Sequence, residues 1–222
     1  WHAWEPGALG RINQLLPSGE WFSGAPSVLP LIKRSQELST LSGGRFNPAI
    51  GHLIKLWGFN DSKPPKGPPP EPALIDEWLA KKPAMSDIEI KGIELRSHNP
   101  DVRLDFGGYG KGLGVDYAID HLRKAGINNA IVNAGGDLRV IGRHGERPWR
   151  VWIRNPRCEG VFASVDVEGD ESVFTSGDYE RFFEYDGVRY YHIIDPRTGY
   201  PARGTTSVTV FHDNAGDADA AV

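Results

Sequence analysis

Asp105 and Lys111 bracket three glycines in the stretch DFGGYGKG, residues 105–112, directly ahead of a helix-like run. Glycines let a ligand approach the main chain, and successive N–H groups at the start of a helix favour an anion. One acid and one lysine add specific polar contacts. The spacing is not that of a P-loop, because Lys111 is followed by Gly112 and Leu113, and the GxGxxG dinucleotide fingerprint is also absent. On these residues alone both a structural turn and a phosphate-binding bend are open.

Three further clusters carry suitable groups. NAGGD, residues 133–137, sits between two strand-like runs. It reads first as a tight turn with glycine at positive φ, and second as main-chain amides meeting another part of the same ligand. TSGDYERFFEYDGVRYYHIIDPRTGYP, residues 175–201, places His192 and Asp195 three apart where a strand enters an Asp-Pro-Arg-Thr-Gly turn. An aromatic hairpin with a good turn accounts for it, yet a strand end carrying His, Asp, Arg and Thr also suits phosphate chemistry. The closing DNAGDADAAV holds Asp213, Asp217 and Asp219 at a helix start, as solvated charge favoured by the dipole or as oxygen ligands for Mg²⁺. No CxxC or HExxH pattern supports a zinc site.

Composition narrows the partners. The 222 residues carry a formal net charge of −4, so a nucleic-acid binder, which needs a basic stripe, is not expected. Phosphate recognition must then rest on a few local cations, backbone amides or a metal. The lone Cys158 allows no internal disulfide. No apolar run reaches the roughly 18 residues of a membrane helix, and no signal peptide is visible. The start at Trp1 without Met and the stop at Val222 in a helix-like Asp/Ala run lead us to expect a chain cut at both ends.

The elements that must position these groups alternate between helix and strand patterns. Residues 26–44 read as a helix with Val28, Leu31, Ile32, Ser35 and Leu38 on one face, Ser27 as cap and Gly43–Gly44 as stop. Residues 61–72, DSKPPKGPPPEP, read as an exposed proline-rich internal loop within one domain spanning 1–222. A short helix with Leu74, Ile75, Trp78 and Leu79 on one side follows. DIEIKGIELR alternates around Gly92. From Leu113 a helical stripe runs through Val115, Ala118, Ile119 and Leu122 to a stop at Gly126. NAIV, LRVIG, WRVWIR, VFASVDV, SVFTS, RFFEY, RYYHII and TSVTVF read as strands, with Asp186-Gly187 as a hairpin turn. The fold class expected is α+β with a largely antiparallel sheet.

Taken in order, the clusters resemble one family, the ApbE-type flavin transferases. SGGRFNPAIGHLIKLWGF resembles the family's SGGxFDPTxGPLVxLWGF. DFGGYGKGLGVD resembles DLGGIAKGYAVD, and NAGGDLRVIG resembles NAGGDIRxxG. The 175–201 stretch is close to the family's own wording, and SVTVFHDNAGDADAAV resembles the start of its closing metal segment. The resemblance runs through nearly the whole chain. It implies a T-fold-like α+β architecture, antiparallel sheets packed with helices, and a ligand cleft between two subregions that takes FAD, with Mg²⁺ on the pyrophosphate. It also implies transfer of FMN to a threonine hydroxyl of an acceptor flavoprotein with release of AMP. The alternatives are an FAD pyrophosphatase and a non-catalytic flavin-binding protein.

By motif position the resemblance assigns Trp4, Phe46, Asn47, Asp105, Lys111 and Ile194 to FAD, with Asn47 where the family usually has Asp. Trp4 falls where an aromatic side chain meets the flavin. Gly108, through its carbonyl, and Asp219 are assigned to the metal. The family's closing threonine ligand and its N-terminal flavin-contacting methionine have no counterpart within residues 1–222. For the proton of the attacking hydroxyl, His192 or Asp195 is the expected base, His192 first because neutral imidazole is competent near pH 7. Family members are commonly exported, so the expected setting is the bacterial periplasm or cell envelope, with a lipid anchor to the inner membrane lying outside this chain.

Overall fold

The computed structural model describes residues 2–61, 63 and 65–222. Residues 62 and 64 of the expected proline-rich loop lie outside the described residues, and its last member, Pro72, opens a helix instead. Proline suits a first helical turn because its missing N–H has no partner there anyway. In chain order the elements are α1 (Ala8–Leu15), β1 (Phe22–Ser23), α2 (Leu29–Leu41), α3 (Gly51–Leu56), α4 (Pro72–Ala80), β2 (Ile88–Lys91), β3 (Glu94–Ser97) and α5 (Gly110–Lys124). They continue as β4 (Ala130–Ala134), β5 (Asp137–Gly142), β6 (Trp149–Arg154), β7 (Val161–Val167), β8 (Gly169–Gly177), β9 (Phe182–Tyr185), β10 (Val188–Tyr191), β11 (Ser207–His212) and α6 (Ala215–Ala221). All paired strands run antiparallel, so the fold is α+β. Helix α2 begins after the expected Ser27 cap, at Leu29, with Pro30 in its first turn and no side-chain cap.

The chain forms two compact units, Trp1–Gly107 with Glu180–Arg203, and Gly108–Tyr179 with Gly204–Val222. In the first, β1, β3 and β2 make one small sheet, and β9 and β10 a separate hairpin. The hairpin turns at Asp186 and Gly187, both at positive φ, the geometry that matches strand twist. An aromatic and aliphatic cluster holds this unit: Ile50, Leu53, Trp57, Phe59, Ile75, Phe183 and Ile194 are buried together. The Trp57 indole N–H donates to the Gly199 carbonyl at 2.7 Å, so the one polar atom of that buried ring is satisfied.

Beside this cluster, His52 of α3 stacks on Trp78 of α4, centroids 4.2 Å apart and planes 8° off parallel. The Lys81 ammonium lies 3.7 Å from the centroid of the same indole. Burial depresses the His52 pKa below its ordinary 6.5, and Arg103, Lys81 and Lys55 push the same way against Asp101.

The second unit is a four-stranded sheet in the order β11-β8-β5-β4. Alternation along the strands gives it two apolar faces. Leu138, Val140 and Val173 pack against Val151 and Val167 of the β6–β7 hairpin. Phe174 on the other face packs against Val115 of α5 and Ala215 and Ala218 of α6. The two helices cap each other. Asp116 of α5 accepts from the Ala215 and Gly216 amides at the start of α6, each at 2.9 Å. Asp219 of α6 accepts from the Gly112 amide at the start of α5 at 2.8 Å. Each acid follows its own helix's donor by three or four residues, so donor and acceptor share one face. Gly112 permits the approach: a Cβ there would meet the Ala215 carbonyl oxygen at 2.1 Å. Arg139 of β5, 7% exposed, pairs with Asp116 from the sheet. The sequence stripe did not include Asp116, and α5 starts three residues before its expected first residue, Leu113.

Two outcomes follow from this packing. The neutral His52 ring contributes stability that is full above its ordinary 6.5 and lost as the pH falls below it, because the unfolded chain takes up the proton first. Melting temperature followed against pH should therefore fall less steeply in His52→Gln than in the parent; parallel curves would refute this. Replacing Asp116 with Ala leaves two helix amides unpaired and the buried Arg139 with Asp170 as its remaining anion, and should cost about 3 kcal/mol in urea unfolding. Replacing the neighbouring exposed Asp120 should cost no more than about 0.5 kcal/mol, and equal losses would sink the capping argument.

Candidate functional site

Three residues around DFGGYGKG are fixed before any ligand is considered. The Arg103 amide donates to the Ala49 carbonyl (3.2 Å), Asp105 N–H donates to Pro48 O (2.9 Å), and Gly51 N–H donates to Arg103 O (2.8 Å). Between them Leu104 is held at both ends by the Asn13 side chain, with both bonds at 2.8 Å. The segment 103–105 is thus locked beside residues 48–51 and α1, with Leu104 buried and its neighbours half-buried. Asp105 then uses both oxygens: Oδ1 accepts from Gly107 N–H at 2.8 Å and Oδ2 from the Trp4 indole at 2.9 Å. Trp4 and Asp105, 101 positions apart in sequence, meet directly. The Arg103 guanidinium lies over the Trp4 ring, 4.3 Å from its centroid.

The other expected residues of this unit lie on two further segments. Asn47 spends its side-chain amide inside the chain, donating to Pro83 O at 2.9 Å and accepting from Ala49 N–H at 3.1 Å. An aspartate at this position, as in the family pattern, has no N–H to give Pro83. Phe46 beside it is half-buried, its amide donating to the Ser42 hydroxyl at 3.0 Å. Ile194 is 8% exposed, belongs to the aromatic cluster and bridges to Pro201. His192 follows β10, its amide donating to Arg181 O at 3.1 Å and its ring edge-on to Phe59. Asp195 anchors the Asp-Pro-Arg-Thr-Gly turn by accepting from Arg197, at 2.9 Å from Nε and 2.6 Å from Nη2. Those hydrogen bonds hold its carboxyl below the usual aspartate range. A carboxylate so held is a poor proton acceptor.

In the second unit Lys111, in the first turn of α5, ion-pairs with Asp137 at the end of the NAGGD turn. Asp137 is buried and also accepts from Thr175 N–H at 2.6 Å. The turn itself is the tight one expected, with Gly135 and Gly136 at φ 72° and 106° and Gly136 N–H closed onto the Asn133 side chain. Asp219 is 6% exposed, and burial pushes its pKa up to about 6. Gly112 N–H and Lys111 partly offset that rise, and Asp137 adds to it. One ammonium thus serves two buried acids. Gly108 lies exposed in the turn just ahead of α5, with open space where a Cβ would stand.

Two amides of the glycine-rich bend are therefore taken by the chain's own carboxylates, Gly107 by Asp105 and Gly112 by Asp219. Sequence reading pointed to those acids but not to this use of the amides. It also passed over Asp116, Arg139 and Arg103, whose partners lie far away along the chain. The one local signal for Asp116 is its spacing, four residues after Gly112 on the same helix.

The sequence model of the ApbE family matches residues 1–222. A curated FAD:protein FMN transferase from Rhodobacter capsulatus is 44% identical over 221 residues, covering all of this chain and 42% of that protein. One from Vibrio cholerae is 37% identical over 219 residues, covering 95% of this chain and 63% of that protein. The chain thus spans less than two thirds of the length of these relatives. Among solved structures, the ApbE protein of Thermotoga maritima matches with TM-score 0.89 at 36% identity, over 98% of this chain and 70% of that one. The flavin transferase ApbE of Vibrio cholerae matches with TM-score 0.82 at 32% identity, over 96% and 68%. With the family's sequence model and a solved relative's fold each running through nearly its whole length, the chain belongs to the ApbE family.

Proposed function

We propose that residues 1–222 act as a flavin transferase domain that moves FMN from FAD to a threonine hydroxyl of an acceptor flavoprotein and releases AMP. The observation that carries this reading is the corner at the start of α5, where Lys111, Asp137 and the buried Asp219 leave two acids against one cation. Such a site has room, in charge, for a divalent ion. Mg²⁺ prefers one or two carboxylates completed by phosphate oxygens and water. Among the described residues no group of three His, Cys, Asp or Glu side chains stands ready as a metal cage, so phosphate and water would complete the set. Asp219 and the Gly108 carbonyl would hold the ion. When bound, it supplies charge neutralisation on the pyrophosphate.

The chain's own groups take the remaining roles. Lys111 would shift from Asp137 toward a phosphate oxygen. Trp4, Phe46, Asn47, Asp105 and Ile194 would hold and orient the dinucleotide. His192 would accept the threonine proton as the hydroxyl oxygen bonds to the FMN phosphorus and the P–O bond to AMP breaks. Placement in the bacterial cell envelope, through a lipid anchor outside residues 1–222, belongs to the same proposal and rests on the family resemblance.

The test is AMP release and acceptor labelling, followed with FAD, MgCl₂ and a threonine-bearing acceptor domain. Labelling that needs both Mg²⁺ and threonine is expected. AMP released equally without acceptor would instead make the chain an FAD pyrophosphatase, and retained FAD with no AMP a flavin binder. His192→Ala should slow transfer by about 10²–10⁴-fold while FAD affinity stays near the parent's. Transfer at the parent rate would remove His192 from the mechanism.

A further inference from the structure

Arg103 is placed oddly for a structural arginine. Its backbone does the local holding, through Ala49 and Gly51. Its side chain makes one long hydrogen bond, Nη2 to the Ala3 carbonyl at 3.4 Å, and lies on the Trp4 ring. Its Nε–H is buried without an acceptor among the described residues. A buried donor left unpaired is costly, and a flexible arginine stem normally turns to satisfy it. Here the guanidinium gives up that donor and stays on the indole, while Asp105 holds the indole N–H. Trp4 is therefore fixed at its edge by an anion and on one face by a cation.

We propose that Arg103 is a positioning residue for the flavin: by occupying one face of Trp4 it holds the indole plane so that the opposite face meets the isoalloxazine ring. This rests on the flavin reading above and adds to it a residue outside the positions that the family resemblance assigns to FAD. The physical gain is preorganisation. An indole free to rotate about two side-chain torsions must be ordered when the flavin stacks on it, and a ring already clamped does not incur that cost. The ligand class served by the clamp is a planar, conjugated ring system, so a nucleotide lacking the flavin should not sense Arg103.

The experiment measures FAD and ADP affinity, and the quenching of flavin fluorescence on binding, for the parent, Arg103→Met, Arg103→Lys, Trp4→Ala and the Trp4→Ala/Arg103→Met double variant. Met keeps the aliphatic stem, and all backbone bonds of residue 103 remain, so thermal melts should stay close to the parent's. Arg103→Met should raise the FAD Kd about fivefold to tenfold, the range of a partly desolvated cation–π contact. It should also weaken quenching and leave ADP affinity unchanged. In the Trp4→Ala background the same substitution should change the FAD Kd by less than about twofold, because its target is gone. Arg103→Lys should recover part of the affinity. If Arg103→Met binds and quenches like the parent, or loses FAD equally with and without Trp4, the role assigned to Arg103 is overturned while the flavin reading stands. If the parent binds no FAD, or Trp4→Ala binds and quenches FAD like the parent, the placement of flavin on Trp4 fails first.

Discussion

The buried carboxylate of Asp116 is the constraint on which the second unit depends. It is 6% exposed, and its oxygens are satisfied by three donors from two directions: two amides at the start of α6 and the guanidinium of Arg139. An isolated charge there would be prohibitive, and the network is favourable only when every member is present. Its consequence is geometric. With Asp219 returning the same service to α5, the two helices are fixed end against end, over one face of the sheet. Arg139 also reaches Asp170 of the neighbouring strand, so the helix pair and the sheet share one electrostatic anchor.

That anchor determines what the start of α5 can offer a ligand. A helix N-terminus usually presents free amides to an anion, but here Gly112 N–H already faces Asp219. The helix end is partly neutralised from within. The carboxylate that neutralises it is itself poorly solvated, with a pKa pushed up to about 6, and it shares Lys111 with Asp137. The corner is thus short of positive charge. Under the transferase reading this turns a glycine-rich anion nest into a place where a cation and a diphosphate bind together, which suits a chain of net charge −4.

In the first unit the equivalent stiffness comes from main chain. Residues 103–105 are held by Pro48, Ala49, Gly51 and Asn13, so Asp105 emerges from a rigid rail. Groups used for recognition work best when their supports are locked by packing and hydrogen bonds. The Asp105–Trp4 contact and the guanidinium of Arg103 continue that pattern outward from the rail. Asp195 illustrates the reverse case: its tight engagement by Arg197 suits a turn anchor and works against proton transfer.

Local patterning by itself determined the strands from β2 onward, the Asp186-Gly187 hairpin, the Gly135-Gly136 turn and the body of α5, while the two-residue β1 left no readable alternation. Each depends on contacts a few residues apart, where alternation, a 3.6-residue stripe or a positive-φ glycine leaves a readable mark. The wording of the motifs also carried the family. Short α1 and α3 went unread because six to eight residues hold too few periods to stand out, and α2 and α4 were shifted at their starts by prolines that belong in a first turn. Only the tertiary structure decided that Asp116 and Asp219 cap each other's helices, that Lys111 pairs with Asp137, and that Trp4 lies between Asp105 and Arg103. Those pairings join residues 26 to 107 positions apart. Nothing local favours one distant partner over another; the choice is made by burial, which removes water as a competitor and makes each charged or polar group take whichever partner the packing brings to it.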